Sequence, residues 1–198
     1  MIHSSLLSEL DWLEHGFGTR AAPVSQQGMA TLKQIHSAVV LNADAPGLIG
    51  EGDALVTDRA GVTVSVRTAD CYPILLVNVD TRIVAAVHAG WRGTTAGVAV
   101  EALKRMNSAP DRILAAIGPG IGACCYEVGE EVAQRFGQHA GRLDLAAANY
   151  QQLRKAGVLD RNIEVLQHCT FCKAEQFHSY RRDKDQAGRM ISLIAVTA

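Results

Sequence analysis

Residues 67–93 read RTADCYPILLVNVDTRIVAAVHAGWRG, and the rest of the chain can be interpreted around this stretch. Two short apolar runs rich in β-branched residues, 74–79 and 83–87, flank a polar Asp-Thr turn. This pattern predicts a β-hairpin. Cys71 precedes the first run and His88 follows the second, so pairing about the turn would bring a thiol and an imidazole together at the open end of the hairpin.

Composition and charge exclude several classes of protein. The chain has 198 residues, 48% of them apolar, which allows a substantial core in one domain spanning residues 1–198. The formal net charge of −1 argues against a basic surface for nucleic acid. No apolar run approaches the roughly 18 residues that span a bilayer, so we expect no membrane partner. The five cysteines lack the spacing of a disulfide framework, which favours a reducing, cytoplasmic location.

Strand signals outnumber helix signals along the rest of the chain. The alternation of valines with polar residues in 62–67 is a clear period of two, which is typical of a strand. The predicted strands outside the hairpin cover residues 12–18, 30–35, 38–41, 54–57, 62–67, 112–117, 163–166 and 190–196, and the predicted helices cover 95–106, 127–136 and 144–156. Because several strands follow one another directly, we predict an α/β fold with a mixed or antiparallel sheet core and helices on its outside.

His36, Cys71 and His88 form the first candidate site. Each lies at the end of a predicted strand beside small or polar residues. One thiolate, two imidazoles and an open fourth position are typical of a catalytic zinc site. Two alternatives remain at this point: a buried free cysteine with two histidines that cap strands, and a Cys71 nucleophile activated by His88 as base.

Arginines are the second group of candidate site residues, here for binding an anion. The glycine-rich segment 90–94 connects a predicted strand to a predicted helix, so its backbone N–H groups and Arg92 could bind an anion. The alternative is a tight connection that binds nothing. In the Arg181-Arg182 pair, one side chain could reach a phosphate or carboxylate while the other pairs with an acid, although a solvated turn would have the same sequence.

Four further cysteines give weaker signals. Cys169 and Cys172 form a CxxC motif, which needs a second pair of ligands before it indicates structural zinc. His168 and His178 could supply that pair, but their spacing is unusual, so we favour small residues packed at a strand end. The adjacent cysteines at 124–125 follow a glycine-rich loop and are interpreted as packing residues.

Six motifs together resemble one known family. They are LKQIHS (32–37), GDALVTD (52–58), TADCYPILL (68–76), VHAGWRGT (87–94), IGPGIGACCYEVG (117–129) and FHSYRRDKDQAGRM (177–190). These motifs resemble those of the multi-copper polyphenol oxidase, or laccase-like, family, whose members are usually described as purine nucleoside phosphorylases of the laccase-domain type. The resemblance runs from about Gly16 to Ile194.

The resemblance implies a fold and an activity. The implied fold is α-β-β-α, two β layers flanked by helices, and the implied zinc ligands are His36, Cys71 and His88. The implied reaction is phosphorolysis of adenosine, inosine and methylthioadenosine, with adenosine deamination beside it. The family also carries an older label of copper-dependent phenol oxidation and a proposed role in editing peptidoglycan precursors. One departure is the short segment 21–32, where family members usually carry several tens of residues.

We therefore predict a zinc-dependent purine nucleoside phosphorylase, a glycosyltransferase, with adenosine deaminase as a side activity. The predicted ligands and catalytic residues are His36, Cys71 and His88, zinc is favoured over copper, and the partners are a nucleoside and phosphate. The predicted substrate- or phosphate-binding residues are Arg67, Asp70, Arg92 and Arg182. A homodimer is one assembly that we consider. The alternatives are a cysteine hydrolase or acyl transferase, a copper-dependent polyphenol oxidase and a peptidoglycan-precursor editing factor.

Overall fold

A computed structural model describes residues 1–197 and contains thirteen strands. They are β1 (Leu13–Phe17), β2 (Ala30–Lys33), β3 (Val40–Asn42), β4 (Gly47–Glu51), β5 (Ala54–Thr57), β6 (Val64–Thr68), β7 (Tyr72–Asn78), β8 (Val84–Ala89), β9 (Ile113–Ile117), β10 (Glu127–Val128), β11 (Gly141–Arg142), β12 (Ile163–Val165) and β13 (Met190–Val196). The α-helices are α1 (Trp91–Thr95), α2 (Val98–Met106), α3 (Glu130–Gln134), α4 (Leu145–Lys155) and α5 (Tyr180–Asp183). Among the described residues, none of these helices has the length and apolar character needed to cross a membrane.

The strands form two large sheets of mixed direction. One has six strands in the order β12-β9-β7-β8-β5-β3, and the other has five in the order β1-β13-β6-β2-β4. Among the described residues of these sheets, five neighbouring strand pairs are antiparallel and four are parallel, namely β12 with β9, β3 with β5, β2 with β4 and, through one residue pair, β2 with β6. The predicted fold class, mixed β layers with flanking helices, is confirmed.

The central strand β7 explains how the layers pack. Every one of its residues is buried, as expected of a strand covered on both faces. Leu75 and Val77 belong to the apolar cluster between the two sheets. Ile74 and Leu76 point to the opposite face and pack with residues of α2 and α4. The six-stranded sheet is therefore the middle layer, with helices on one side and the second sheet on the other.

The predicted hairpin is confirmed, with a longer turn than the sequence indicated. Strands β7 and β8 pair antiparallel, with Ile74 opposite Val87 and Val77 opposite Val84. The connection covers residues 79–83, and its backbone N–H groups at positions 80 and 81 donate to the Asn78 side chain at 2.8 and 2.9 Å. The Asn78 side chain therefore replaces the backbone pairing of a two-residue turn.

Two predicted helices were wrong in their extent. The helix predicted at 95–106 corresponds to α2 and begins only at Val98, because Gly97 before it adopts a left-handed backbone with φ of 77°. Residues 91–95, most of which were predicted to be a glycine-rich loop, form the separate helix α1. The helix predicted at 127–136 begins later, since residues 127–128 pair with β11 instead. The helix predicted at 144–156 is confirmed, and the Asp144 side chain caps it by accepting from Ala147 N at 2.8 Å. The elements that were not predicted include strands β4 and β11 and helices α1 and α5.

Leu75 offers a test of the layer arrangement. It is fully buried between the sheets and lies opposite Ala86 and Ala116, two small residues that leave the space for its side chain. We expect Leu75→Ala to lower the free energy of unfolding by about 2–5 kcal/mol, because it leaves a cavity. Urea denaturation measures this change.

The matched control is Leu48→Ala on the edge strand β4, where the leucine is 70% exposed. This variant should change the free energy of unfolding by less than about 0.5 kcal/mol. Equal effects for the two variants would contradict the arrangement of the layers.

Candidate active site

His36, Cys71 and His88 are brought together at the junction of the two sheets. One potential ligand atom from each lies within 4.8 Å of the other two. His36 follows β2 of the five-stranded sheet, whereas Cys71 precedes β7 and His88 lies in β8 of the six-stranded sheet. Cys71 and His88 share the alternating face that is turned towards the five-stranded sheet, because residues 75 and 86 on the same strands lie between the sheets.

The buried carboxylate of Asp53 holds the turn that carries His36. It accepts hydrogen bonds from the backbone nitrogens of Ile35, His36 and Ser37 at 3.3, 3.0 and 2.5 Å. The Ser37 hydroxyl donates to it as well, at 2.7 Å. His36 itself adopts a left-handed backbone with φ of 59°, which is uncommon for a residue with a side chain. These four bonds stabilise a conformation that the chain would otherwise rarely adopt.

The same carboxylate orients His88. The Nδ1 atom of His88 donates to Asp53 at 2.8 Å, and the His88 backbone N–H donates to the Asp53 carbonyl at 2.7 Å. Because Nδ1 is bound to the carboxylate, Nε2 of His88 is the ring nitrogen that can bind a metal once it has lost its proton. A histidine held by a carboxylate in this way is typical of metal ligands in proteins.

Gly90 makes room for the cluster. A Cβ atom at this position would lie 2.9 Å from Cys71 Sγ and 3.3 Å from His36 Cδ2. Its φ of −79° is ordinary, so the requirement for glycine arises from space rather than from the backbone. The glycine of the HAGWRG motif therefore lets the backbone approach the thiol.

The electrostatics of the cluster favour a charged thiolate. Burial opposes ionisation of the thiol, but hydrogen bonds from His36 and His88 outweigh burial and lower the pKa of Cys71 to about 6. Burial likewise opposes protonation of His88, but its hydrogen bonds with Asp53 and Cys71 raise its pKa to about 9. Burial would raise the pKa of Asp53, yet the hydrogen bonds from His88 and Ser37 lower it to about 2. The thiolate is the form of cysteine that binds metals.

The three side chains fit a metal ion. A thiolate and two imidazoles are borderline to soft ligands, which suit zinc and also copper, whereas magnesium and calcium prefer oxygen. The cavity beside the cluster gives access to a further ligand from solvent or substrate. The geometry therefore matches a three-ligand site with one open position.

A cavity of about 720 Å³ extends from the cluster. Among the described residues that line it, basic side chains outnumber acidic ones. The basic residues are Lys33, Arg67, Arg181, Lys184 and Arg189, the acidic residue is Asp70, and the aromatic residues are Tyr126 and Tyr180. Lys33 is paired with Glu51 at 2.7 Å. The remaining cationic side chains favour an anionic ligand.

Asp70 uses both carboxylate oxygens to hold neighbouring segments. Oδ1 accepts from the Thr170 hydroxyl at 2.7 Å, and Oδ2 accepts from the Arg181 backbone nitrogen at 2.6 Å. Arg181 then extends along the cavity, where its guanidinium lies 5.3 Å from the centre of the Tyr126 ring and donates to the Glu127 carbonyl at 2.9 Å. Asp70 thus positions an arginine at the cavity.

The arginines proposed from the sequence lie in different surroundings. Arg67 lines the cavity. Arg92 stacks on Trp91, with its guanidinium carbon 4.4 Å from the ring centre. The Arg182 guanidinium donates to the carbonyls of residues 170, 171 and 177 and pairs with Asp183, so it holds the chain around α5. Binding roles for Arg67, Asp70, Arg92 and Arg182 stay predictions, and the geometry favours Arg181 over Arg182 as the cavity residue.

Two site residues were missed by sequence reasoning. Asp53 occurs in the GDALVTD motif, but its contacts with His36 and His88 depend on strand pairing that the motif does not reveal. Arg181 was considered together with Arg182, and the neighbouring Asp183 was the signal that Arg182 would be paired locally.

Comparisons with known proteins agree with this fold. A sequence model of the family described as multi-copper polyphenol oxidoreductase laccase matches residues 17–197. The crystal structure of the Bacillus licheniformis hypothetical protein YfiH has a TM-score of 0.88 and 25% identity, with 94% of each chain covered. The chain thus has the two-sheet α/β fold of YfiH-like proteins, with a Cys-His cluster at the sheet junction. It belongs to the multi-copper polyphenol oxidoreductase laccase family.

Two relatives have names that state an activity. A protein of Deinococcus radiodurans named purine nucleoside phosphorylase is 43% identical over 181 residues, which cover 84% of this chain and 70% of the relative. A protein of an unknown prokaryotic organism named adenosine deaminase RL5 is 42% identical over 155 residues, which cover 69% of this chain and 59% of the relative.

Asp53 provides a test of the metal site. We expect Asp53→Asn to weaken zinc binding by about 10- to 100-fold, because the amide keeps the shape of the side chain but loses the charge that orients His88. Competition with a chromophoric chelator measures this affinity. Asp58→Asn, which changes an exposed carboxylate of the same sequence motif, should bind zinc like the unchanged protein. Equal affinities for the two variants, both folded by circular dichroism, would contradict the role of Asp53.

Proposed function

We propose that the protein is a zinc-dependent purine nucleoside phosphorylase, which transfers the ribosyl group of a purine nucleoside to phosphate. The observation that carries this proposal is the cluster of His36, Cys71 and His88 at one end of a cavity with basic and aromatic walls. The named activity of the Deinococcus relative supports it. We also propose a cytoplasmic location, since none of the five cysteines forms a disulfide bond.

Each ligand residue has a defined task in this proposal. His36, Cys71 and His88 would hold the ion, and Asp53 keeps His88 in the tautomer that leaves Nε2 free. When bound, zinc supplies a Lewis acid that polarises and orients a phosphate oxygen. The donor set also suits copper, but the thiolate with two imidazoles and an open position matches catalytic zinc at least as well.

The cavity arginines would hold the attacking phosphate. Arg67, Arg181 and Arg189 line the cavity, and a guanidinium can bind phosphate through two parallel hydrogen bonds. Phosphorolysis passes through a ribosyl centre with positive charge, as glycoside hydrolysis does. A phosphate fixed under the sugar both stabilises that charge and becomes the acceptor of the ribosyl group.

The aromatic residues would bind the base. Tyr126 and Tyr180 line the same cavity, and their rings offer flat surfaces for a purine. Burial raises the pKa of Tyr126 to about 12, so its hydroxyl remains a neutral hydrogen-bond donor across the physiological range. A cavity of about 720 Å³ lies within the size range of small-molecule sites, roughly 300–1,000 Å³. Adenosine, inosine and methylthioadenosine are the proposed substrates.

Adenosine deamination is the second proposed activity. The relative named adenosine deaminase RL5 supports it, and the same cavity would accept the substrate. The HxE…PCxxC signature of cytidine-type deaminases does not occur in the sequence, so a different group must carry the proton. Release of ammonia from adenosine without phosphate, assayed in the same preparation, would establish this activity separately.

Cys71→Ala tests the metal-dependent reaction. We expect this variant to lose zinc from the site and to lower kcat/KM for phosphorolysis of inosine by more than about 100-fold, because several kcal/mol of charge stabilisation depend on the ion. Zinc content by mass spectrometry and the release of hypoxanthine provide the two measurements. Full activity of the variant, or an active protein free of zinc at this site, would contradict the proposal.

A protection experiment separates this proposal from a Cys71 nucleophile. Zinc and iodoacetamide compete for the same thiolate, so excess zinc should slow the alkylation of Cys71 in the intact protein. Peptide mass spectrometry identifies the modified cysteine. Alkylation of Cys71 at an unchanged rate, with loss of activity, would favour the cysteine hydrolase or acyl transferase.

Arg181→Ala tests the phosphate site. A hydrogen bond to a charged group contributes about 1.5–3 kcal/mol, so we expect the KM for phosphate to rise by roughly 10- to 150-fold. The KM for inosine should change less, since the base lies against the aromatic residues. Arg161→Ala, at an exposed arginine in the 3-10 turn before β12, serves as the control and should leave both constants unchanged. An unchanged KM for phosphate in Arg181→Ala would contradict this assignment.

A further inference from the structure

The four cysteines outside the active site form a second cluster. Cys124, Cys125, Cys169 and Cys172 place their Sγ atoms within 4.8 Å of one another. The Cys125–Cys172 and Cys124–Cys172 sulfur distances are 3.2 and 3.6 Å. The structure thus supplies the second pair of ligands that the CxxC motif lacked. The earlier interpretation of Cys124 and Cys125 as packing residues is incomplete, since both contact Cys172.

Parallel strand pairing explains why these segments meet. Strands β9 and β12 are parallel neighbours, with Val165 opposite Ile117, so both chains leave the same edge of the sheet. They continue side by side, because Gly120 N donates to His168 O at 3.3 Å and Thr170 N donates to Gly120 O at 3.0 Å. The cysteines follow directly on both segments. The fold therefore brings the two cysteine pairs together although more than forty residues separate them in the sequence.

We propose that Cys124, Cys125, Cys169 and Cys172 bind one zinc ion at a structural site distinct from the active site. Four thiolates at Zn–S distances of about 2.3 Å form a tetrahedron with edges of about 3.8 Å. Two of the observed sulfur distances, 3.2 and 3.6 Å, lie close to that edge length, and all four sulfurs lie within 4.8 Å of one another. A [2Fe–2S] cluster distributes four cysteines over two iron atoms, so cysteine sulfurs on different irons must lie farther apart than the sulfurs observed here.

The backbone around the cluster supports metal ligation. Gly122 N donates to Cys169 Sγ at 3.3 Å, which is the type of contact that orients and stabilises a ligating thiolate. A Cβ atom at Gly122 would lie 3.3 Å from Cys124 Sγ and 3.6 Å from Cys169 Sγ, so the backbone lies close against the sulfurs. Cys124 and Cys172 are exposed, which leaves a path for the ion to enter.

The proposed ion would connect one wall of the cavity to the segment that supports Asp70 in it. The segment with Cys124 and Cys125 contributes Ile121 and Tyr126 to the cavity lining. The segment with Cys169 and Cys172 lies behind the cavity wall, where the Thr170 hydroxyl donates to the cavity residue Asp70 and the carbonyls of the segment accept from Arg182. A zinc ion held by both segments would fix Tyr126 and Asp70 relative to each other without contacting the substrate.

The zinc content of Cys71→Ala reports on this second site alone, because the variant lacks a ligand of the first site. The full chain with Cys71→Ala should retain about one equivalent of zinc, and adding Cys172→Ser should remove it. Glu175→Ser, which introduces the same serine at an exposed position of the same segment, should retain the zinc. Removal of zinc from Cys71→Ala by a chelator should lower Tm, because the two segments are then no longer connected. A zinc-free Cys71→Ala protein whose four thiols remain reduced would overturn the proposal.

Spectroscopy of Cys71→Ala keeps the proposal testable if Cys172→Ser fails to fold. X-ray absorption at the zinc edge should show four sulfur ligands at about 2.3 Å. Cobalt substituted for zinc should show the intense visible bands of a tetrahedral thiolate site. A shell dominated by nitrogen or oxygen, or iron or copper as the bound metal, would overturn the assignment. Loss of phosphorolysis alone would not overturn the zinc assignment, because these spectroscopic measurements do not depend on enzymatic activity.

Discussion

The contact between Asp53 and His88 is the interaction on which the candidate active site depends. One buried carboxylate accepts a hydrogen bond from the His88 ring and also holds the backbone turn of residues 35–37. It thereby connects β8 of one sheet to the chain that leaves β2 of the other. A buried carboxylate without these partners would be strongly unfavourable, so the ionic contact and the turn stabilise each other. The positive φ of His36 is maintained because this arrangement satisfies every backbone donor in the turn.

The two-sheet architecture explains why the site lies where it does. Period-two alternation places Cys71 and His88 on the inner face of the six-stranded sheet, and the inner face must be covered by the second sheet. At the open end of the hairpin the apolar layer ends, and the cluster of thiol and imidazoles occupies that position. The cavity continues from there, lined by the ends of β2 and β6 and by segments outside both sheets, and those outer segments carry Tyr126, Tyr180 and Arg181.

The segments that form those walls depend on contacts that are remote in sequence. Asp70 bonds Thr170 and the Arg181 backbone, Arg182 bonds three carbonyls around it, and the four-cysteine cluster lies where the two segments meet. Long loops without regular structure require such cross-connections if they are to hold a ligand in a defined geometry. Charged and sulfur-containing residues therefore replace the apolar packing that orders the sheets.

The amino-acid sequence by itself determined the hairpin, most strands and the two residues at the hairpin end. These features follow from local periodicity, which acts over a few residues and can be identified directly in the chain. Helix α1 and the break between α1 and α2 at Gly97 were not predicted, because a glycine-rich segment is compatible with a loop until packing selects its backbone conformation. The role of Asp53, the choice of Arg181 over Arg182 and the meeting of the two cysteine pairs were decided only by tertiary structure. Each of these features depends on which segments pair and in which direction. The spacing of residues in the sequence does not give their distance across a sheet.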